Sequence, residues 1–187
     1  LKFAAWTNNA LPELTWLDCE IFEQDRKKLK DLDKYDGILI PGGFGSRGIE
    51  GKILVAEYTR KNNIPFFGLC LGLQIMTIEF ARHKARLKGA GSEEFTNNSK
   101  YPVIHIMYEQ KEKLELNDYG GSMRLGAYPC RLVKKTKAYQ AYLNSGWISK
   151  TGSKTISERH RHRYEVNPKY HDILMENGLV LSGMSPN

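Results

Sequence analysis

Cysteine is scarce. The chain holds three, Cys19, Cys70 and Cys130, far apart and odd in number. That argues against a disulfide framework and against a zinc cluster, and it fits a reduced, cytoplasmic protein. Long apolar runs are lacking as well. The longest, Ile64 to Met76, is interrupted by Pro65, Gly68, Gly72 and Gln74, so no segment is expected to span a bilayer. No charged-then-apolar leader opens the chain. There is no internal repeat, no low-complexity tract and no phosphate-binding P-loop, and nothing marks a domain boundary.

What is present is one domain's worth of ordinary globular sequence, 187 residues with 41% hydrophobic and 26% charged side chains, enough to bury a core. The formal net charge is +7. A basic balance can attract nucleic acid or anionic substrates, but here the bases are scattered, as in Lys27-Lys28 and Lys134-Lys135. They read as a solvated exterior, with no nucleic acid implied.

Residues Asp36 to Ile40 form a short apolar run that ends in Pro41-Gly42-Gly43-Phe44-Gly45, a buried strand entering a glycine turn. Ile49 to Asn62 carries helical spacing, with Ile49, Ile53 and Ala56 inward and Lys52, Arg60 and Lys61 off that face. Asn62-Asn63 stops this helix, and Ile64 to Leu69 is the next buried strand. A second helix follows at once, because Leu73, Met76 and Phe80 fall at positions i, i+3 and i+7. Alternating strand and helix predicts an α/β fold: an open, mostly parallel sheet flanked by helices. The second half is richer in strands, with Val103 to Met107, Met123 to Leu132 and Ile156 to Val166 all reading as extended. Lys111 to Gly121 and Asn144 to Lys154 read as loops. A short helix near Tyr170 to Glu176 is expected to stop at Asn177-Gly178.

Gly68-Leu69-Cys70-Leu71-Gly72 sits where a buried strand turns into a helix, the form of a nucleophile elbow with cysteine in place of serine. The flanking glycines are required because the turn brings neighbouring backbone too close for side chains. Cys70 at a helix N-terminus is expected to have a lowered pKa. The Leu71 N–H, pointing at the same spot, suits an oxyanion. A small buried structural cysteine is the alternative. Gly42-Gly43 ends the neighbouring strand, and in open α/β sheets ligands lie beyond the carboxyl ends of the strands. Two glycine turns at one sheet edge form a site lined by backbone donors.

Several motifs together resemble one family. They are Pro41-Gly42-Gly43-Phe44-Gly45-x-Arg47-Gly48-x-Glu50-Gly51-Lys52, Gly68-x-Cys70-Leu71-Gly72-x-Gln74, Ile78-Glu79-x-Ala81-Arg82 and Ser92-x-Glu94-Phe95. To these add Gly120-Gly121-x-Met123-Arg124-Leu125-Gly126-Ala127-Tyr128 and the run from Glu158 to Asn167. From about Asp36 onward the chain resembles the C-terminal class I glutamine amidotransferase domain of the CTP synthases. The cysteine elbow is common to class I amidotransferases, whereas the last two motifs are specific to the CTP synthase family.

The resemblance implies a flavodoxin-like fold and a glutaminase activity with Cys70 as nucleophile. It implies an oxyanion site at Gly43 and Leu71, and glutamine contacts from Gly43, Phe44, Leu71, Gly72, Leu73, Gln74, Glu94 and Arg163. A carboxylate suits the α-ammonium of glutamine and a guanidinium its α-carboxylate. Arg47 and its glycines match a lid associated with GTP activation. The domain itself would need no metal and no cofactor. ATP and magnesium would belong to a covalently linked synthetase domain that uses the released ammonia to turn UTP into CTP, in a homo-oligomer of the full-length protein.

The match departs in two respects. The family's base, a His-x-Glu pair, is expected beyond Ser182-Gly183-Met184-Ser185-Pro186, and Leu1 is expected to enter midway through a first helix. Residues 1–187 therefore read as an amidotransferase domain short at both ends, without the synthetase domain. His160 and His162 share one face of an extended strand, with Arg159, Arg161 and Arg163 on the other. Their ordinary reading is a hydrogen-bonded structural pair. The rival readings are the amidotransferase of another pathway, such as GMP synthesis, and a non-catalytic module that keeps the fold.

Overall fold

The computed structural model describes residues 1–96, 98–107 and 124–186. The loop expected over Lys111 to Gly121, and the Gly120 to Met123 part of one motif, lie outside the described residues. The chain opens with helices α1 (Lys2–Thr7) and α2 (Glu20–Gln24) and a 3₁₀ stretch, η1 (Arg26–Lys34). Strand β1 (Ile38–Ile40) then leads through the glycine turn to helix α3 (Ile49–Lys61). Asn62 caps α3 and Asn63 takes φ 56°, a left-handed turn that asparagine tolerates. Strand β2 (Phe66–Gly68) follows and runs directly into helix α4 (Leu71–His83).

Strands β1 and β2 are parallel, with Ile38 opposite Phe66 and Ile40 opposite Gly68. Their C-terminal ends thus meet at one edge, as the two glycine turns require. Strand β3 (Ala90–Ser92) is parallel to β4 (Tyr101–Ile106). Strand β7 (Tyr164–Val166) is antiparallel to β4. A third sheet has β5 (Arg124–Leu132) between β6 (Thr155–His162) and β8 (Gly183–Met184), both antiparallel to it. The parallel pairs therefore carry the elbow, and antiparallel ladders are added behind it. The run expected to be continuous from Ile156 to Val166 is broken at Arg163, where the chain leaves one sheet for the other.

Helix α5 (Lys137–Asn144) begins at Thr136, whose hydroxyl accepts from the Tyr139 N–H at 3.2 Å. Helix α6 (Trp147–Thr151) lies between Gly146 and Gly152, both with positive φ, inside a stretch expected to be loop. The segment around Ile148 is helical because its apolar side chains pack with Leu132 and Ile156. The last helix, α7 (His171–Glu176), stops at Asn177-Gly178 as expected, with Gly178 at φ 98°.

The main core lies between α3, α4 and the sheets. Ile49, Ile53 and Ala56 are buried as expected. The helix expected after the elbow is present as α4, with Leu71, Ile75 and Ile78 buried, Phe80 packed partly buried against them and Leu73 45% exposed. The buried stripe starts at Leu71, the residue after Cys70. Seen from the sequence, Leu73, Met76 and Phe80 form an equally regular stripe, so periodicity alone did not separate the two.

The Ile78–Arg82 motif is explained by packing. Ile78 and Ala81 are core residues, and Glu79 is 1% exposed. Its carboxylate accepts from Arg60 Nε at 2.9 Å and Nη2 at 2.6 Å, and lies 3.1 Å from His83 Nδ1. Arg82 donates to the Ala90 carbonyl at 2.7 Å and to Glu50 at 2.8 Å. These bonds tie α4 to α3 and to β3.

Candidate active site

Cys70 occupies the N-cap of α4 with φ 52° and ψ −103°, a region that a side-chain-bearing residue enters only under strain. The glycines around it make that strain tenable. A Cβ on Gly68 would lie 2.4 Å from the Gly72 carbonyl carbon, and one on Gly72 would lie 2.2 Å from the Ile40 carbonyl oxygen. Strand β1, the elbow and the first turn of α4 therefore touch backbone to backbone. Gly72 is thus placed by packing.

The second glycine turn closes on the same point. A Cβ on Gly42 would lie 3.4 Å from Cys70 Cβ, and one on Gly43 would lie 3.2 Å from Leu71 Cδ2. The Leu71 N–H favours the thiolate form of Cys70. Phe44, next in the turn, is 63% exposed, and the Gly45 N–H donates to Glu94 Oε1 at 3.3 Å. Glu94 lies in the turn after β3, where its own N–H donates to the Ser92 hydroxyl at 3.1 Å. Burial pushes the Glu94 carboxyl up, opposed by the Gly45 N–H and the Arg163 guanidinium. Glu94 in turn acts on Cys70. Cys70, Gly43, Leu71, Glu94 and Arg163 are thus brought together from four separate stretches of chain.

The Cys70 thiol departs from expectation. Its pKa is raised, first by burial and further by the Glu94 carboxylate, with the Leu71 N–H opposing both. The end of a helix favours thiolate, but removing a thiolate from water beside a carboxylate costs more than that favours. The thiol donates to the Arg161 carbonyl at 3.7 Å. No sequence signal points to this contact, because it is made by backbone and its residue type is immaterial.

Gln74, one turn along α4, is 6% exposed, and its Oε1 is buried without a hydrogen-bond partner among the described residues. An orphaned buried acceptor is costly unless something arrives to satisfy it. The histidine pair is hydrogen-bonded, as its ordinary reading predicts. His160 Nδ1 lies 2.7 Å from His162 Nε2, and His162 Nδ1 lies 3.1 Å from the Tyr164 carbonyl. Both nitrogens of His162 are occupied, so this ring is no base for Cys70. Arg47, assigned to the lid, meets Glu20 at 2.7 Å and Asp18 at 3.6 Å. A cavity of about 440 Å³ opens elsewhere, on the outer side of β1 among Leu14, Trp16, Ile38 and Val55, and Cys70 is not in its lining.

An α/β layer with a strained cysteine at a strand-to-helix elbow, facing a second glycine turn, marks out the candidate active site. The profile of the class I glutamine amidotransferases matches residues 3–187, and the chain belongs to that family. Among its relatives, the CTP synthase of Methanocaldococcus jannaschii is 50% identical over 192 residues, covering 100% of this chain and 33% of the relative. That of Clostridium kluyveri is 50% identical over 189 residues, covering 100% of this chain and 32% of the relative. The chain thus spans about a third of the length of the curated relatives it matches. A solved structure of the Trypanosoma brucei CTPS glutaminase domain with bound acivicin is similar at a TM-score of 0.81 and 37% identity. It covers 95% of this chain and 63% of that one. The resemblance read from the motifs and the α/β amidotransferase fold both stand.

Proposed function

We propose that this domain hydrolyses L-glutamine to glutamate and ammonia through a γ-glutamyl thioester on Cys70, and that the ammonia feeds a covalently linked synthetase domain. In the first step the Cys70 sulfur attacks the side-chain amide carbon, and the carbonyl oxygen becomes an oxyanion held by the N–H groups at Gly43 and Leu71. Collapse of this intermediate breaks the C–N bond, and the departing nitrogen takes up a proton and leaves as ammonia. Water then cleaves the thioester to release glutamate and restore the thiol. The proton is carried by a His-x-Glu pair of the kind the family supplies.

Glu94 receives the α-ammonium and Arg163 the α-carboxylate. Gln74 satisfies its buried Oε1 by accepting a hydrogen bond on the substrate side. Phe44, Gly72 and Leu73 form the walls of the glutamine site. Because the resting thiol is buried and donates to the Arg161 carbonyl, thiolate is formed during turnover, in concert with proton removal. In the complete protein, a cytoplasmic homo-oligomer, the synthetase domain would use ATP and magnesium to activate UTP for amination to CTP.

The observation that carries this reading is the convergence of a strained Cys70 with two glycine turns and the Glu94–Arg163 pair. A glutamine-like electrophile provides the test. It should label Cys70 at least about a hundredfold faster than Cys19 or Cys130, as positioning beside an oxyanion site is worth that much or more. Peptide mapping that finds equal labelling of the three, or none at Cys70, contradicts the reading.

A further inference from the structure

We infer that His162, linked to His160, is a positioning residue that holds Arg163 in place for glutamine. The inference rests on the glutamine-hydrolysing reading above.

Arg163 stands at a corner. Strand β6 ends at His162 and pairs with β5, while β7 begins at Tyr164 and pairs with β4. Arg163 belongs to neither ladder, and its carbonyl accepts from the Met107 N–H at 3.2 Å. The backbone conformation at such a corner is set by its neighbours' contacts, and it decides where the side chain starts from. Here that starting point matters, since the guanidinium acts on the Glu94 carboxyl across the site.

The histidines supply what the ladders do not. A carbonyl oxygen only accepts, so the 3.1 Å contact between His162 Nδ1 and the Tyr164 carbonyl requires the hydrogen on Nδ1. That leaves His162 Nε2 with a free lone pair, and the 2.7 Å contact is a donation from His160 Nδ1–H. The result is a relay of two neutral rings, from His160 to His162 to the Tyr164 carbonyl, strapped across Arg163. Burial lowers the pKa of both rings. Arg124, opposite His162 on β5, lowers both further, and at His162 the neighbouring His160 lowers it too while the bond to the Tyr164 carbonyl opposes the shift. Glu158 on β6 opposes this at His160. The Tyr128 ring packs edge-on against His160, with centroids 5.5 Å apart. The rings are thus held neutral and in one tautomer, which is what a one-directional strap needs.

The test is steady-state kinetics of the full-length protein with glutamine and, separately, with supplied ammonia. His162→Phe keeps a ring but removes both hydrogen bonds. It should raise KM for glutamine on the order of tenfold to a hundredfold, the scale of a positioned group displaced by about 1 Å. Its kcat should stay within about threefold, because ground-state binding is what is lost, and ammonia-dependent activity should be unchanged. His162→Asn places an amide N–H where Nδ1–H stands and should return KM to within about threefold of the wild type. A role in packing alone predicts the reverse order, since asparagine leaves the larger void. Wild-type protein that does not hydrolyse glutamine overturns the reading of the site, and this inference with it. Wild-type hydrolysis together with an unchanged KM in His162→Phe, or an Asn variant as defective as the Phe variant, overturns the positioning role alone.

Discussion

At the scale of single residues, the surroundings of Cys70 disfavour its thiolate at rest. Cys70 is held in a strained backbone conformation, half-buried, near a carboxylate, with its thiol donating to a carbonyl. A free thiolate would be reactive toward any electrophile, whereas a thiol that ionises only as substrate is attacked is selective. The influence of Glu94 has a definite sign. A nearby negative charge disfavours thiolate, so removing it lowers the Cys70 pKa. Glu94→Gln should therefore speed alkylation of Cys70 by iodoacetamide at pH 7.5 by about two- to tenfold, through the gain in thiolate as the pKa falls. The rate-against-pH curve should move to lower pH. An unchanged or slower curve would mean that Glu94 does not act on the thiol. The position of Cys70 was legible in the sequence because glycines two residues to either side are a steric demand. Its raised pKa was not, because burial and the approach of Glu94 come from residues far away in the chain.

At the scale of elements, the elbow is only as firm as the helix behind it. Helix α4 is anchored by Glu79, buried on the face away from solvent and accepting from the Arg60 guanidinium on α3. Removing one partner of such a pair leaves a buried charge unanswered, which is worse than replacing both. Arg60→Ala should destabilise the fold by on the order of 3 kcal/mol, and adding Glu79→Leu to it should recover a substantial part of that loss. Urea unfolding would show this as a lowered midpoint with unchanged slope, partly restored in the double variant. A double variant less stable than Arg60→Ala would remove the buried-charge explanation. Glu79 stood out in the sequence as part of a motif, yet its partner did not, because Arg60 lies on another helix. The same limit applies to α4 itself. The helix follows from its spacing, but its buried stripe does not, since which face is buried depends on where β1 and α3 lie.

At the scale of the whole molecule, the α/β order of the first half follows from apolar runs ending in glycine turns, each followed by helical spacing. The second half was less legible. Helix α5 has a readable start at Thr136, and α6 is enclosed by glycines, but both are short and owe their form to packing against Leu132 and Ile156. The break at Arg163 is a tertiary event, in which one extended run is shared between two sheets. Arg163, whose guanidinium acts on the Glu94 carboxyl, stands at that break. The domain matches about a third of its curated relatives, and the proposed role is to supply ammonia to the remainder. Nucleophile and amination chemistry should then be separable. The direct measurement is CTP formation by the full-length protein carrying Cys70→Ser, with glutamine and with ammonium chloride as nitrogen source. Glutamine-dependent formation should fall by on the order of 10⁴-fold or more, as when a nucleophile is removed, while ammonia-dependent formation stays within about twofold of the wild type. Persistence of glutamine-dependent formation, or the loss of both activities together, would contradict the account.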